Sequence, residues 1–167
     1  MEKVKDLEIR FADAGIEQYL YEWFSEPGVL RWFPCQERKE VDDTVKMLIG
    51  FTKWKCALTA FIGKKPVGFG VLFLHAYKKI AHQCLFGMIV DPEHRNMGVG
   101  TQLLLHLLEL GKQNFNLEAM YLEVFEGNPA ISLYRRLGFN EVGYHKYWLK
   151  EDDGKFRSKI VMEKVLT

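Results

Sequence analysis

The residues best suited to chemistry lie in "MIVDPEHRNMGVGTQLLLHLLELGKQ", residues 88–113. A short apolar run meets Asp91-Pro92, crosses the loop Arg95-Asn96-Met97-Gly98-Val99-Gly100, and enters a leucine-rich helix predicted from about Gly98 to Phe115. Backbone N–H groups at a helix start are unpaired and lie at the positive end of the macrodipole, so such a turn suits an anion. Gly98 and Gly100 carry no side chain to block approach, and Arg95 adds a fixed positive charge. Phosphate or pyrophosphate is the natural occupant. Gly100 is followed by Thr101, where a Walker loop needs lysine, and the G-x-G-x-x-G dinucleotide fingerprint is absent. On these residues alone a ligand-free strand-to-helix turn and a nucleotide-binding module also fit. His75, His82, His106 and His145 show no metal-ligand spacing, and no metal is expected.

Several elements must position that loop. "LEIRFA" (7–12) alternates as a strand, and a helix capped by Asp13 runs to about Trp23 and is ended by Pro27-Gly28. A second helix is predicted over 41–53. "CALTAFI", "PVGFGVLFL" and "AHQCLFGMIV" read as three strands, the first two a hairpin turning at Gly63–Pro66. Gly87, inside the third, marks a candidate bulge. "AMYLEVF" (119–125) is a further strand, "NPAISLYRRLGF" a helix capped by Asn128 and stopped by Gly138, and the rest a hairpin turning at Asp153-Gly154. The order β-α-α-β-β-β-α-β-α-β-β predicts a mixed α/β sheet in one domain over residues 1–167.

Composition narrows the function classes. The chain has 167 residues, 48% hydrophobic and 27% charged, as expected of a soluble globular domain. A net charge of +1 gives no global field for nucleic acid or an anionic membrane. Cys35, Cys56 and Cys84 are odd in number and form no C-x-x-C pair, which predicts reduced thiols. The start "MEKVKDLEIR" has no apolar signal core and no run is long enough to span a bilayer, so a cytoplasmic protein is expected.

"IVDPEHRNMGVGTQLL" resembles the coenzyme-binding motif R/Q-x-x-G-x-G/A of the GNAT superfamily of N-acetyltransferases, with Arg95, Gly98 and Gly100 at its fixed positions. About thirty residues on, "YLEVFEGNPAISLYRRLGF" resembles that superfamily's second motif, ending Leu-Tyr-x-x-Leu-Gly-Phe. The element order matches as well, so the resemblance covers nearly the whole chain. It implies a single-domain GNAT-like α/β fold: a mixed, mostly antiparallel sheet flanked by helices, with splayed central strands. It further implies acetyl-coenzyme A as acyl donor. Arg95, Asn96, Met97, Gly98, Val99, Gly100 and Thr101 would surround its pyrophosphate, and the backbone of Met88, Ile89 and Val90 would pair with the pantetheine arm. Many family members carry an asparagine seven residues before the motif tyrosine. Here that position is Gly127, so Asn128 either contacts the coenzyme from one place on or only caps its helix.

Acetyl transfer to an amine needs a proton acceptor for the amine, a polarised thioester and a proton for the leaving thiolate. By resemblance Tyr134 is the acid, although Ala130, Leu133, Tyr134 and Leu137 also define a packed helix face. Glu123 is the candidate base. Alternation places it between Tyr121 and Phe125, where apolar surroundings would raise its pKa, and "LEV" (122–124) resembles the base-bearing strand of ribosomal-protein-type N-acetyltransferases. A partly solvated or arginine-paired Glu123 fits equally, with Glu126, His145 or water as base. His94 either touches the coenzyme or belongs to an exposed turn. The acceptor is expected among the aromatic-rich segments, Trp23, Phe24, Trp32 and Phe33, then Tyr144, Tyr147 and Trp148, with Glu22, Glu26 and Glu37 as candidate attractors of a cationic amine. Acceptors include peptide N-termini, lysines and small-molecule amines, a homodimer is possible, and the alternative is a coenzyme-binding sensor without turnover.

Overall fold

The computed structural model describes residues 4–166. Seven strands form one sheet in the order β1-β2-β3-β4-β5-β7-β6: β1 Leu7–Phe11, β2 Ala57–Ile62, β3 Lys65–Leu74, β4 Gln83–Val90, β5 Ala119–Phe125, β6 Asn140–Lys150 and β7 Phe156–Val165. All neighbours are antiparallel except β4 and β5, which run parallel because α4 (Val99–Asn114) carries the chain across between them. The expected mixed, mostly antiparallel sheet is therefore present.

Helices cover both faces. On one, Leu103, Leu104 and Leu107 of α4 and Ile131 of α5 (Ala130–Arg136) pack on Phe86, Met120 and Leu122. A Cβ at Gly70 would lie 2.5 Å from Leu107 Cδ1, so the absent side chain lets α4 approach the middle of β3. On the other face, α1 (Glu17–Phe24), α2 (Pro27–Leu30) and α3 (Arg38–Phe51) bury Leu20, Phe24, Val29 and Val45 against Phe69, Val71 and Ile89.

Three local readings change. Pro27 starts the short helix α2 as well as following α1, as a proline pre-set for a first helical turn does. Helix α3 begins at Arg38, ahead of the predicted 41, because Glu37 and Glu40 form a reciprocal capping box. Gly87 makes no bulge: β3 and β4 pair without a register shift from Gly68↔Val90 to Leu74↔Cys84. The glycine instead makes room for a ring, since a Cβ there would lie 3.1 Å from Phe73 Cε2.

The parallel seam is short. Only Gln83↔Ala119, Cys84↔Met120 and Leu85↔Tyr121 pair across it. Beyond Leu85 and Tyr121 the two strands diverge, so the expected splay of the central strands is present, and it opens where β4 leads into the loop before α4.

Candidate active site

The splay opens into a cleft of about 680 Å³ that runs from the start of α4, between β4 and β5, to the aromatic segment after α2. Its first part is the turn singled out in the sequence. Asp91, 5% exposed, fixes that turn: its carboxylate accepts the Glu93 N–H at 3.1 Å, meets His94 Nδ1 at 3.0 Å and pairs with Lys65 Nζ at 3.4 Å. Asp91, Glu93 and His94 lie close enough to ligate a cation, yet these contacts account for them as a salt-linked turn.

Asn96 and Gly98 both adopt left-handed backbone, φ 59° and φ 83°. Gly98 is the cap residue of α4, and no side chain bonds the first-turn amides there. Those N–H groups are therefore free to face an anion. His94, Arg95, Asn96, Gly98, Gly100 and Thr101 line the cleft. Val99 does not: its side chain is 1% exposed and packs toward Gly68, which leaves its backbone amide as what it can offer. Met97 is 41% exposed and also lies outside the lining. Arg136, which the sequence reading passed over, lines the same end and donates to Thr101 Oγ1 at 3.1 Å. Its signal is in the sequence, a second basic residue in "LYRRLGF" two places after the motif tyrosine.

Along β4, the Asp91 N–H donates to Val67 O. Antiparallel alternation then turns Ile89 and Gly87 toward β3 and leaves the backbone groups of Met88 and Val90 directed into the splay. Of the three residues expected to pair with an extended ligand, Met88 and Val90 have free backbone and Ile89 is engaged with Phe69.

Opposite, Asn128 Oδ1 accepts the Ala130 N–H at 2.9 Å, so the asparagine caps α5 while also lining the cleft, with its amide NH₂ free to donate. Tyr134 is 8% exposed, lines the cleft, and sets its ring edge-on to Phe86 and Phe139. Burial pushes its hydroxyl up from the ordinary 10.0 to about 12, so the phenol stays protonated well beyond physiological pH.

Glu123 faces the far side of the sheet with Tyr121 and Phe125, as alternation predicts. Its surroundings are not the apolar ones expected: Oε2 lies 2.8 Å from Lys159 Nζ, whose side chain is 9% exposed. A bulge in β6 between His145 and Leu149 brings Trp148 over that ammonium, 3.3 Å from ring centroid to Nζ. Glu126 is engaged by the hydroxyls of Ser158 and Tyr144.

The far end of the cleft, where the sequence places the expected acceptor, is walled by Val29, Trp32, Phe33, Phe125 and Trp148. Trp23 and Phe24 belong to the core, 3% and 1% exposed, and Tyr144 and Tyr147 point outward, 59% and 62% exposed. Glu22, Glu26 and Glu37 line no part of it, and Glu37 is spent on the α3 cap. Arg157 packs against two of these walls, its guanidinium 4.9 Å from both the Trp32 and Phe125 rings and donating to Glu151 and the Arg31 carbonyl.

Residues 17–139 match the family model of the acetyltransferase (GNAT) family. The chain belongs to that family. An N-alpha-acetyltransferase from Sulfurisphaera tokodaii is 37% identical over 68 residues, 40% of this chain and 41% of the relative. The ribosomal protein bS18-alanine N-acetyltransferase of Escherichia coli (strain K12) is 40% identical over 73 residues, 42% of this chain and 48% of the relative. The chain thus spans less than half the length of these curated relatives. In fold it is similar to a Salmonella typhimurium protein solved with its cofactor acetyl-CoA, with a TM-score of 0.81 at 18% identity over 98% of this chain and 95% of that one. A ribosomal-protein-alanine N-acetyltransferase from Brucella melitensis gives a TM-score of 0.79 at 21% identity over 95% and 99%. Among the described residues, no helix is long and apolar enough to cross a membrane.

Proposed function

We propose that the protein transfers the acetyl group of acetyl-coenzyme A directly to a primary amine within a ternary complex. The observation that carries this reading is the continuity of the cleft, which joins the uncapped start of α4 to the aromatic acceptor end through the splay of β4 and β5. The loop and first-turn amides from Asn96 to Thr101, with Arg95 and Arg136, hold the pyrophosphate. Met88 and Val90 pair with the pantetheine amides, and Asn128 donates its side-chain NH₂ to the same arm. Tyr134 gives a proton to the departing thiolate, and Glu123 takes one from the amine. No step draws on a metal. Acceptors in scope are a peptide N-terminus, as the names of the relatives suggest, a lysine or a small-molecule amine. The protein acts in the cytoplasm and needs neither membrane nor nucleic acid, and homodimerisation through the exposed edge strand β6 is part of the same proposal.

The test is a mass-spectrometric turnover assay with acetyl-coenzyme A and a panel of peptides of varied N-termini, polyamines and amino acids. A product heavier by one acetyl group, formed only with enzyme, is the expected result. Tight coenzyme binding with no product from any amine, the protein's own included, would replace the reading with a coenzyme-binding sensor. The Glu123–Lys159 ion pair gives that second reading its one structural support, since it occupies the carboxylate that the reaction needs.

A further inference from the structure

Lys159 is an unusual neighbour for a carboxylate assigned to deprotonate amines, because it is itself a primary amine. Its residue is 7% exposed, on β7 beside β5, yet it lines the cleft, and among the residues that do so it is the one lysine. Its Nζ lies 2.8 Å from Glu123 Oε2, within the range over which a general base takes a proton from its substrate. The Trp148 ring holds the same nitrogen from one side. The lysine is thus presented to the base as a bound acceptor amine would be. The exposed Lys155 has no such arrangement: with 83% of its side chain exposed, its Nζ pairs with Asp153 at the β6–β7 turn.

We propose that Lys159 is a self-acetylation site, its Nζ being the first amine that the cleft acetylates. This rests on the acetyl-transfer reading above. Glu123 takes a proton from the Lys159 ammonium, and the freed lone pair attacks the thioester carbonyl carbon. A C–N bond forms as the C–S bond breaks, and the sulfur leaves as thiolate. Of the two protons lost from nitrogen overall, one is matched on the coenzyme thiol and one passes to solvent. The products are an Nε-acetyl-lysine and free coenzyme A. The modification removes the positive charge, so Glu123 loses its ion-pair partner and becomes free to serve an incoming amine, and the Trp148 face meets a neutral amide instead of an ammonium.

The experiment is to incubate the 167-residue chain with acetyl-coenzyme A alone, map acetylated peptides over time, and follow thiol release with and without the amine panel in parallel. Expected is one acetyl group at Lys159, acquired at a first-order rate independent of protein concentration and ahead of Lys146 and Lys155. Glu123→Gln slows it by about 100-fold or more, and Lys159→Arg, which keeps the charge, abolishes it. Thiol release with an added amine while Lys159 stays unmodified overturns self-acetylation and leaves amine transfer standing. Coenzyme bound with neither thiol released nor Lys159 modified overturns both. Acetylation spread evenly over exposed lysines and unaltered by Glu123→Gln is solution chemistry and overturns the proposal. The wild-type peptide map decides the matter even where a variant folds poorly.

Discussion

On the proposed mechanism Tyr134 would carry two duties that a single atom separates. Its ring packs on Phe86 and Phe139, and only its hydroxyl is assigned to chemistry. Tyr134→Phe should therefore lower kcat by about 100-fold, with a thermal midpoint close to wild type and unchanged coenzyme affinity; a full rate would return the residue to the core. The raised hydroxyl also has a signature in stability. From the ordinary tyrosine value of 10.0 up to about 12 the native state keeps a proton that the unfolded chain has lost, so stability is whole below that window and falls as pH rises through it. Denaturant titrations of wild type and Tyr134→Phe across those pH values should diverge, the variant losing less. Gly100 offers a second separation. A methyl there would meet Leu133, Val90 and Met88 at 3.4 to 3.7 Å, ordinary contact, so Gly100→Ala should bind coenzyme nearly as wild type. Gly100→Glu adds bulk and negative charge at the proposed pyrophosphate turn and should abolish binding by calorimetry.

At the scale of elements, helix starts decide more than helix interiors. Glu40 accepts the backbone N–H groups of Gln36 and Glu37 at 2.8 and 3.0 Å, and those bonds, Gln36 first, hold its carboxyl below the usual glutamate range. A depressed folded value means that the cap's stabilisation is present above the unfolded pKa and is lost as pH falls through the folded one. Glu40→Ala should remove that component from an acid-unfolding curve and loosen amide-exchange protection at the start of α3. The same cap shows where sequence reading reached and stopped. The leucine stripe of α4 and the alternation of β5 were legible because burial repeats at a fixed period, and both elements stand where predicted. The capping box is equally local but lies outside the apolar pattern, so the apolar period alone starts α3 at 41 and misses its first three residues. Gly87 carried the right residue for the wrong reason, since what it accommodates is Phe73 on the neighbouring strand. Lys159 beside Glu123 could not be read at all. It depends on the register Phe125↔Lys159 between strands more than thirty residues apart and on a bulge in β6 that aims Trp148.

Across the whole molecule the three thiols are buried and free, and burial pushes Cys84 up to about 12. Only the thiolate reacts readily, so native protein at neutral pH should consume almost no thiol reagent, with three equivalents titrating once denaturant is added. Rapid labelling of the native state would mean that the two halves of the sheet open easily. Those halves meet along β4 and β5, where three residue pairs join one group of four strands to another of three. A ligand whose amides bond to Met88 and Val90 would then act as a strand the chain does not encode, lengthening the join from one side. Coenzyme at about 100 times its Kd should add about 2.7 kcal/mol to stability. Amide protection should rise first at Met88 and Val90. On the proposed reading, the short β4–β5 join is extended by backbone that comes with the coenzyme and not with the chain.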